Sequence, residues 1–303
     1  MENNILLTGA TGFVGKHLIP YLERNGKNVL PIQRAELQNL SLISNQDAIV
    51  HLAGKAHDLK KTSDPSEYYE VNFELTKKLY NAFLKSSAKK FIFISSVKAA
   101  ADTVEGILTE DQSPNPQTDY GKSKLMAETY IQNQPLPTGK SYYIIRPCMI
   151  HGPGNKGNLN LLYQFVKRNI PYPLGAFHNK RSFLSIANLC FAIERLISKE
   201  VPSGIYQIAD DEALSTNQVI KILAEATQQQ PKLWAFPVSI INLVAKIGDY
   251  IKLPLNTERL KKLTESYVVS NQKIKMALDS ELPLSVYEGL KITASAFKSS
   301  PTN

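Results

Sequence analysis

The run Tyr120-Gly-Lys-Ser-Lys124 sets a phenol and an ammonium four residues apart, which is one face of a helix. A lysine so placed is expected to pull the tyrosine's pKa down from about 10, making the phenol a proton donor or acceptor near neutral pH. The spacing alone carries little weight, because Tyr163 with Lys167 and Tyr287 with Lys291 repeat it, and ordinary helix-surface pairs are the expected reading there. What separates Tyr120 is its position after an apolar stretch ending in Ser95-Ser96. Ligands gather at the carboxyl ends of strands in a parallel sheet. Ser96 can there hold a substrate oxygen while Tyr120 moves its proton.

A second group precedes these. Thr8-Gly-Ala-Thr-Gly-Phe-Val-Gly15 spaces three glycines at intervals of three, directly between the first apolar strand and the first helix. Missing β-carbons let the backbone turn sharply and approach a pyrophosphate, while a helix N-terminus aims unpaired N–H groups at its charge. Gly9, Thr11, Gly12, Phe13, Val14 and Gly15 are therefore read as a dinucleotide cradle, beside which Lys124 can grip the nicotinamide ribose. A site for NAD usually has an acid at the end of the second strand for the ribose 2′-hydroxyl. Here that place reads Gln33-Arg34, and Arg34 can pair with a 2′-phosphate. NADP(H) is favoured on this ground; NAD(H) is the alternative, with Glu36 two positions on to serve it.

The elements that must position these groups follow from the apolar pattern. Strands are expected at Asn4 to Thr8, Asn28 to Ile32, Asp47 to Ala53, Lys90 to Ser96 and Ser141 to Arg146. Pro31 is tolerable only near the end of its strand. Between them fall helices at about Phe13 to Asn25, Pro65 to Ser87 with Asp64 as N-cap, and Tyr120 to Gln132. This alternation predicts an α/β fold, a Rossmann-type doubly wound parallel sheet with a smaller C-terminal α/β substrate lobe. Residues 1–150 are assigned to the dinucleotide-binding domain, to which later segments return, and 151–303 mainly to the lobe. The lobe has a strand at Gly204 to Ala209 and helices near Thr216 to Thr227 and Val238 to Lys252.

Composition narrows the partners. A chain of 303 residues with 43% hydrophobic content can build a large core unaided. Its two cysteines, Cys148 and Cys190, and the lack of a secretory leader pattern lead to an expectation of reduced thiols and a cytoplasmic setting. No transmembrane span is expected, because Lys246 and Asp249 interrupt the greasiest stretch, Leu233 to Leu253. The net charge of +8 suits an anionic partner, and scattered lysines favour a phosphate-bearing small molecule over nucleic acid. His17, His57 and His178 lack metal-ligand spacing; they are read as surface residues, and no metal is expected.

Together these residues resemble the extended short-chain dehydrogenase/reductase superfamily, the NAD-dependent epimerase/dehydratase group. The similarity runs along nearly the whole chain: TGATGFVG, His51-Leu52-Ala53, Asn72 and Thr76 in VNFELT, FIFISS, YGKSK, Arg146-Pro147 and His151-Gly-Pro-Gly154. It implies cofactor contacts from Leu52, Ala53, Asn72 and Lys124, with Asn72 also fixing the active-site helix. It implies a UDP-sugar substrate met by Ser96, Lys98, Tyr120, Asn158 and Arg181, with Arg259 as a second arginine. A homodimer through the Pro65 to Ser87 and Tyr120 to Gln132 helices is implied as well.

Two departures bear on the reaction. Similar 4,6-dehydratases carry Asp-Glu after the catalytic Ser or Thr, whereas this chain has Val97-Lys98, so dehydration is not expected. The missing acid at Gln33 speaks for an exchangeable cofactor. The expected activity is 4-keto reduction of a UDP-linked 6-deoxy-N-acetylhexose in bacterial surface polysaccharide biosynthesis; 4-epimerisation is the alternative, and a non-catalytic NADP-binding sensor the third reading.

Overall fold

A computed structural model describes residues 3–33, 36, 45–55, 64–155, 157–251 and 256–299. The N-terminal part runs β1 (Asn3–Thr8), α1 (Phe13–Arg24), β2 (Lys27–Ile32), β3 (Ala48–His51), α2 (Pro65–Tyr68), a π-helical stretch Tyr69–Glu74, α3 (Leu75–Lys85), β4 (Lys90–Ile94), β5 (Ile107–Leu108), α4 (Asp119–Asn133) and β6 (Ser141–Pro147). Then come β7 (Met149–His151), α5 (Asn158–Lys167), β8 (Phe183–Ser185), α6 (Ile186–Ser198), β9 (Gly204–Ile208), α7 (Thr216–Ala226), α8 (Val238–Ile251), α9 (Thr257–Thr264), β10 (Val268–Val269), α10 (Gln272–Leu278) and α11 (Val286–Ser299).

Six strands form a parallel sheet in the order β2-β1-β3-β4-β6-β9. The fold is thus the expected Rossmann-type α/β arrangement. The chain steps from β1 outward to β2, then returns past β1 to β3, so the switch point lies between β1 and β3. Pro31 is tolerated because β2 is an edge strand, where one side of the backbone needs no partner.

Alternation along the buried strands splits the core into two layers. Ile5 and Leu7 pack with Leu18 and Leu22 of α1 and Ile193 of α6. Leu6, Ile49, Phe91 and Phe93 face Leu79, Tyr80 and Phe83 of α3 and Ala127 of α4. A third cluster joins α5, α7 and α11 through Tyr163, Leu223 and Leu290. The helix expected from Pro65 to Ser87 is interrupted by a wider turn at Tyr69–Glu74, which buries Asn72.

Candidate active site

The glycine loop lies at the switch point. Gly9 has φ +74°, and a β-carbon there would stand 2.7 Å from the Ala53 backbone nitrogen, so only glycine lets the loop after β1 touch the end of β3. Gly12 opens α1 without a side-chain cap. The first N–H groups of α1 are therefore left to an outside acceptor. These features fit a dinucleotide pyrophosphate.

Behind the loop runs a buried hydrogen-bond chain that sequence reasoning did not assemble. Thr8 Oγ1 accepts from Ala53 N at 3.1 Å and meets His51 Nδ1 at 2.7 Å. His51 Nε2 meets Thr76 Oγ1 at 3.0 Å, and that hydroxyl donates to Asn72 O. One proton assignment satisfies every link: neutral His51 with its proton on Nε2, accepting from Thr8 at Nδ1. Burial, with the charge of Lys124 adding to it, drives the His51 pKa down to about 3.

Asn72 ties this network to α4. Its amide donates to Ser123 Oγ at 3.1 Å and to Lys55 O at 3.2 Å, and its Oδ1 accepts from Lys55 N. Gly54 is held between Asn72 and Lys124, where a β-carbon would lie 3.0 Å from both side chains.

Tyr120, Lys124 and Glu128 share one face of α4, each four residues from the next. Glu128 accepts from Arg146 Nε at 3.0 Å and from Arg146 Nη2, and it also accepts a hydrogen bond from the Ser95 hydroxyl. Both charges are buried. Thus α4 is clamped to β6 by an ion pair and to the end of β4 by Ser95, one residue before Ser96. The Arg146-Pro147 landmark gave a signal for one partner; Glu128 had none, since an acid inside a helix reads as solvent-facing.

Ser96 and Tyr120 face the same space, and the Tyr120 ring meets Tyr68 edge-on at 6.1 Å between centroids. Lys124 Nζ donates to Ile94 O at 2.9 Å, over the Phe93 ring. The expectation that Lys124 lowers the Tyr120 pKa is corrected. Burial raises the phenol's pKa, against the Ser96 hydrogen bond, and burial also brings Lys124 down to about 8. Desolvation dominates both shifts because the two groups sit in a weakly solvated wall of the sheet.

Ser96, Lys98, Tyr120 and Arg181 line one cavity of 290 Å³, together with Val97, Met149, Glu265 and Tyr267. Lys98 lies over the Tyr267 ring at 4.4 Å and donates to Asp102 O, while Arg181 Nε donates to Glu265 O at 3.1 Å. Arg259 is on the exposed surface of α9 and does not line this cavity. Arg34 and His57 lie outside the described residues, as does the side chain of Asn158, the first residue of α5. Glu36, by contrast, is placed at the end of β2, its carboxylate accepting from Gln33 N at 2.6 Å. His17 is not a free surface residue: it is half-buried, with Nε2 2.9 Å from Pro153 O. Met149, Glu265 and Tyr267 were missed because their segments reach the cavity only through tertiary packing.

Among the described residues no group of His, Cys, Asp and Glu is arranged to hold a metal ion, and no helix is long and apolar enough to cross a membrane. A family model described as "NAD dependent epimerase/dehydratase family" matches residues 5–209. A UDP-glucose 4-epimerase from Vibrio cholerae is 32% identical over 98% of this chain and 96% of its own length. An N-acetyl-α-D-glucosaminyl-diphospho-ditrans,octacis-undecaprenol 4-epimerase from Escherichia coli O157:H7 is 29% identical over 91% of this chain and 85% of its own. The structure of a UDP-N-acetylglucosamine 4-epimerase from Bacillus cereus superposes with a TM-score of 0.78 over 98% of this chain and 100% of that one, at 20% identity.

Proposed function

Because the chain belongs to the NAD dependent epimerase/dehydratase family, we propose that it is a nicotinamide-dependent enzyme that reduces the C4 keto group of a UDP-linked sugar. The observation that carries this reading is that Ser96, Tyr120, Lys98 and Arg181 line one cavity. When bound, the reduced nicotinamide supplies the hydride. The cradle Gly9 to Gly15, with Leu52, Ala53, Asn72 and Lys124, holds that cofactor. Ser96 holds the C4 oxygen, and Tyr120 gives its proton as the C4–O double bond becomes single. A phenol whose pKa is raised by burial stands as a proton donor at neutral pH, which suits reduction.

Lys98 and Arg181, with the lobe of residues 151–303, hold the nucleotide diphosphate and leave the sugar facing Tyr120. Binding energy gathered there is remote from the reacting bond. Val97, Cys148 and Met149 add apolar lining to the cavity, which suits a 6-methyl group better than a 6-hydroxyl. A homodimer through α3 and α4 belongs to the same reading.

A second reading, 4-epimerisation, is favoured by the Vibrio cholerae relative and by Glu36. A carboxylate at the end of β2 suits a ribose 2′-hydroxyl, hence NAD(H), and repels a 2′-phosphate. In that cycle Tyr120 first takes a proton and then returns it.

Following NADPH and NADH absorbance while the protein meets UDP-2-acetamido-2,6-dideoxy-4-hexulose separates the two. Stoichiometric oxidation that is lost in Tyr120→Phe is expected. No oxidation, together with interconversion of UDP-glucose and UDP-galactose by protein that retains NAD through purification, would replace reduction by epimerisation.

A further inference from the structure

Helix α8 carries two apolar stripes where packing uses one. Ile241 and Ala245 point inward and are buried. Ile240, Leu243, Val244 and Ile247 follow the i, i+3, i+4, i+7 spacing of a second face, and all are exposed, Leu243 at 59%. Tyr250, 88% exposed, continues that face one turn on. Just before the helix, Trp234 and Phe236 are also exposed, their rings edge to face at 5.7 Å. A run of exposed aliphatic and aromatic side chains of this length marks an interaction surface.

The charges around it are mostly positive, with Asp249 and Glu258 the exposed acids among them. Lys246 borders the stripe on α8, and Lys167, Arg168, Lys232, Lys261 and Lys262 are exposed on the adjoining segments. The link is direct: Tyr172 N donates to Lys232 O and Trp234 N to Tyr172 O, which joins the α5 side of the lobe to the segment entering α8. Of the exposed acids, Asp249 is engaged by Thr257 and Glu258 by Lys262.

We infer that this face docks on an anionic lipid surface, with α8 lying in the headgroup plane and its outer stripe inserted. A helix with aliphatic and aromatic residues on one side and lysines at its border has the composition of an interfacial helix. Trp234 and Tyr250, each with an apolar body and a polar tip, suit the same boundary. The basic rim selects between occupants. In a two-fold contact with a second copy the rim would face itself and repel, whereas negative headgroups complement it. The spacing and side-chain exposure make α8 a helix that lies on a membrane rather than crosses one, consistent with the absence of a spanning helix among the described residues.

The test is flotation of the intact protein with vesicles of phosphatidylcholine alone or mixed with phosphatidylglycerol. Co-flotation with the mixed vesicles only, weakened by salt, is expected. The double variant Leu243→Asp, Ile247→Asp should lose roughly tenfold or more in vesicle affinity, and so should Lys261→Glu, Lys262→Glu. An unchanged thermal melt of each variant would show that its fold is intact. Absence from both vesicle fractions would overturn the inference. So would an oligomer, measured by light scattering, that the Leu243→Asp, Ile247→Asp variant abolishes, since a second copy would then cover the face.

Discussion

Helices α4 and α11 carry the same pair at the same spacing, Tyr120 with Lys124 and Tyr287 with Lys291, and the two pairs have different lives. On α11 both side chains reach Glu225: Tyr287 donates to Oε2 and Lys291 to Oε1, in the open. Hydrogen bonds and charge from Glu225 raise the pKa of Lys291. On α4 Lys124 donates to a backbone carbonyl of the sheet, and burial, against the charge of Glu128, lowers its pKa to about 8. The third copy, on α5, splits: Tyr163 is buried against Phe297 while Lys167 is exposed. The contrast teaches that the spacing makes a neighbourly pair and the sheet beside it makes a desolvated one.

The sharpest way to break the contrast is to remove the two phenols in turn. Tyr120→Phe should lower kcat by about 10²–10⁴-fold, the usual worth of a positioned proton donor. Tyr120→Phe protein with wild-type turnover would place both pairs in the same ordinary class.

Next in size is the clamp beneath α4. Glu128→Ala leaves the Arg146 guanidinium buried without its partner, and a loss of about 3–5 kcal/mol in unfolding free energy is expected by denaturant titration. A loss below about 1 kcal/mol would mean that α4 is positioned by packing alone.

The two lysines should also pull stability in opposite directions with pH. Lys124 has a folded value near 8 and an unfolded value near 10.5. Between these the unfolded chain binds the proton and the folded chain does not, so stability rises with pH there. A gain on the order of 3 kcal/mol across that window is expected in wild type and not in Lys124→Met. Lys291, with its value raised, contributes stability below its unfolded value that fades as pH climbs through its folded one. Parallel urea melts of wild type, Lys124→Met and Lys291→Met at several pH values would expose both slopes.

The smallest effect completes the set. Tyr287→Phe should leave turnover at the wild-type level and cost under about 0.5 kcal/mol, as exposed substitutions do.

Much of the fold was legible in the residues. The expected strands and helices recur to within a few positions, because burial on a parallel sheet demands unbroken apolar runs and the turns demand glycine or proline. The break at Tyr69–Glu74 was not visible, since a wider helical turn keeps an ordinary helical composition. The Ser96, Tyr120 and Lys124 grouping was also readable from order along the chain. The direction of the Tyr120 pKa was not: it depends on how much water the surrounding wall removes, and spacing says nothing about that.

Local pattern therefore determined the elements, their alternation and the glycine turn, because hydrophobic period and backbone freedom are properties of a few consecutive residues. Tertiary structure alone decided that burial raises the Tyr120 pKa, that Glu128 meets Arg146, and that α8 keeps a second apolar face uncovered. Each of those facts depends on partners far apart in the chain, brought together by strand register and helix packing that no single stretch encodes.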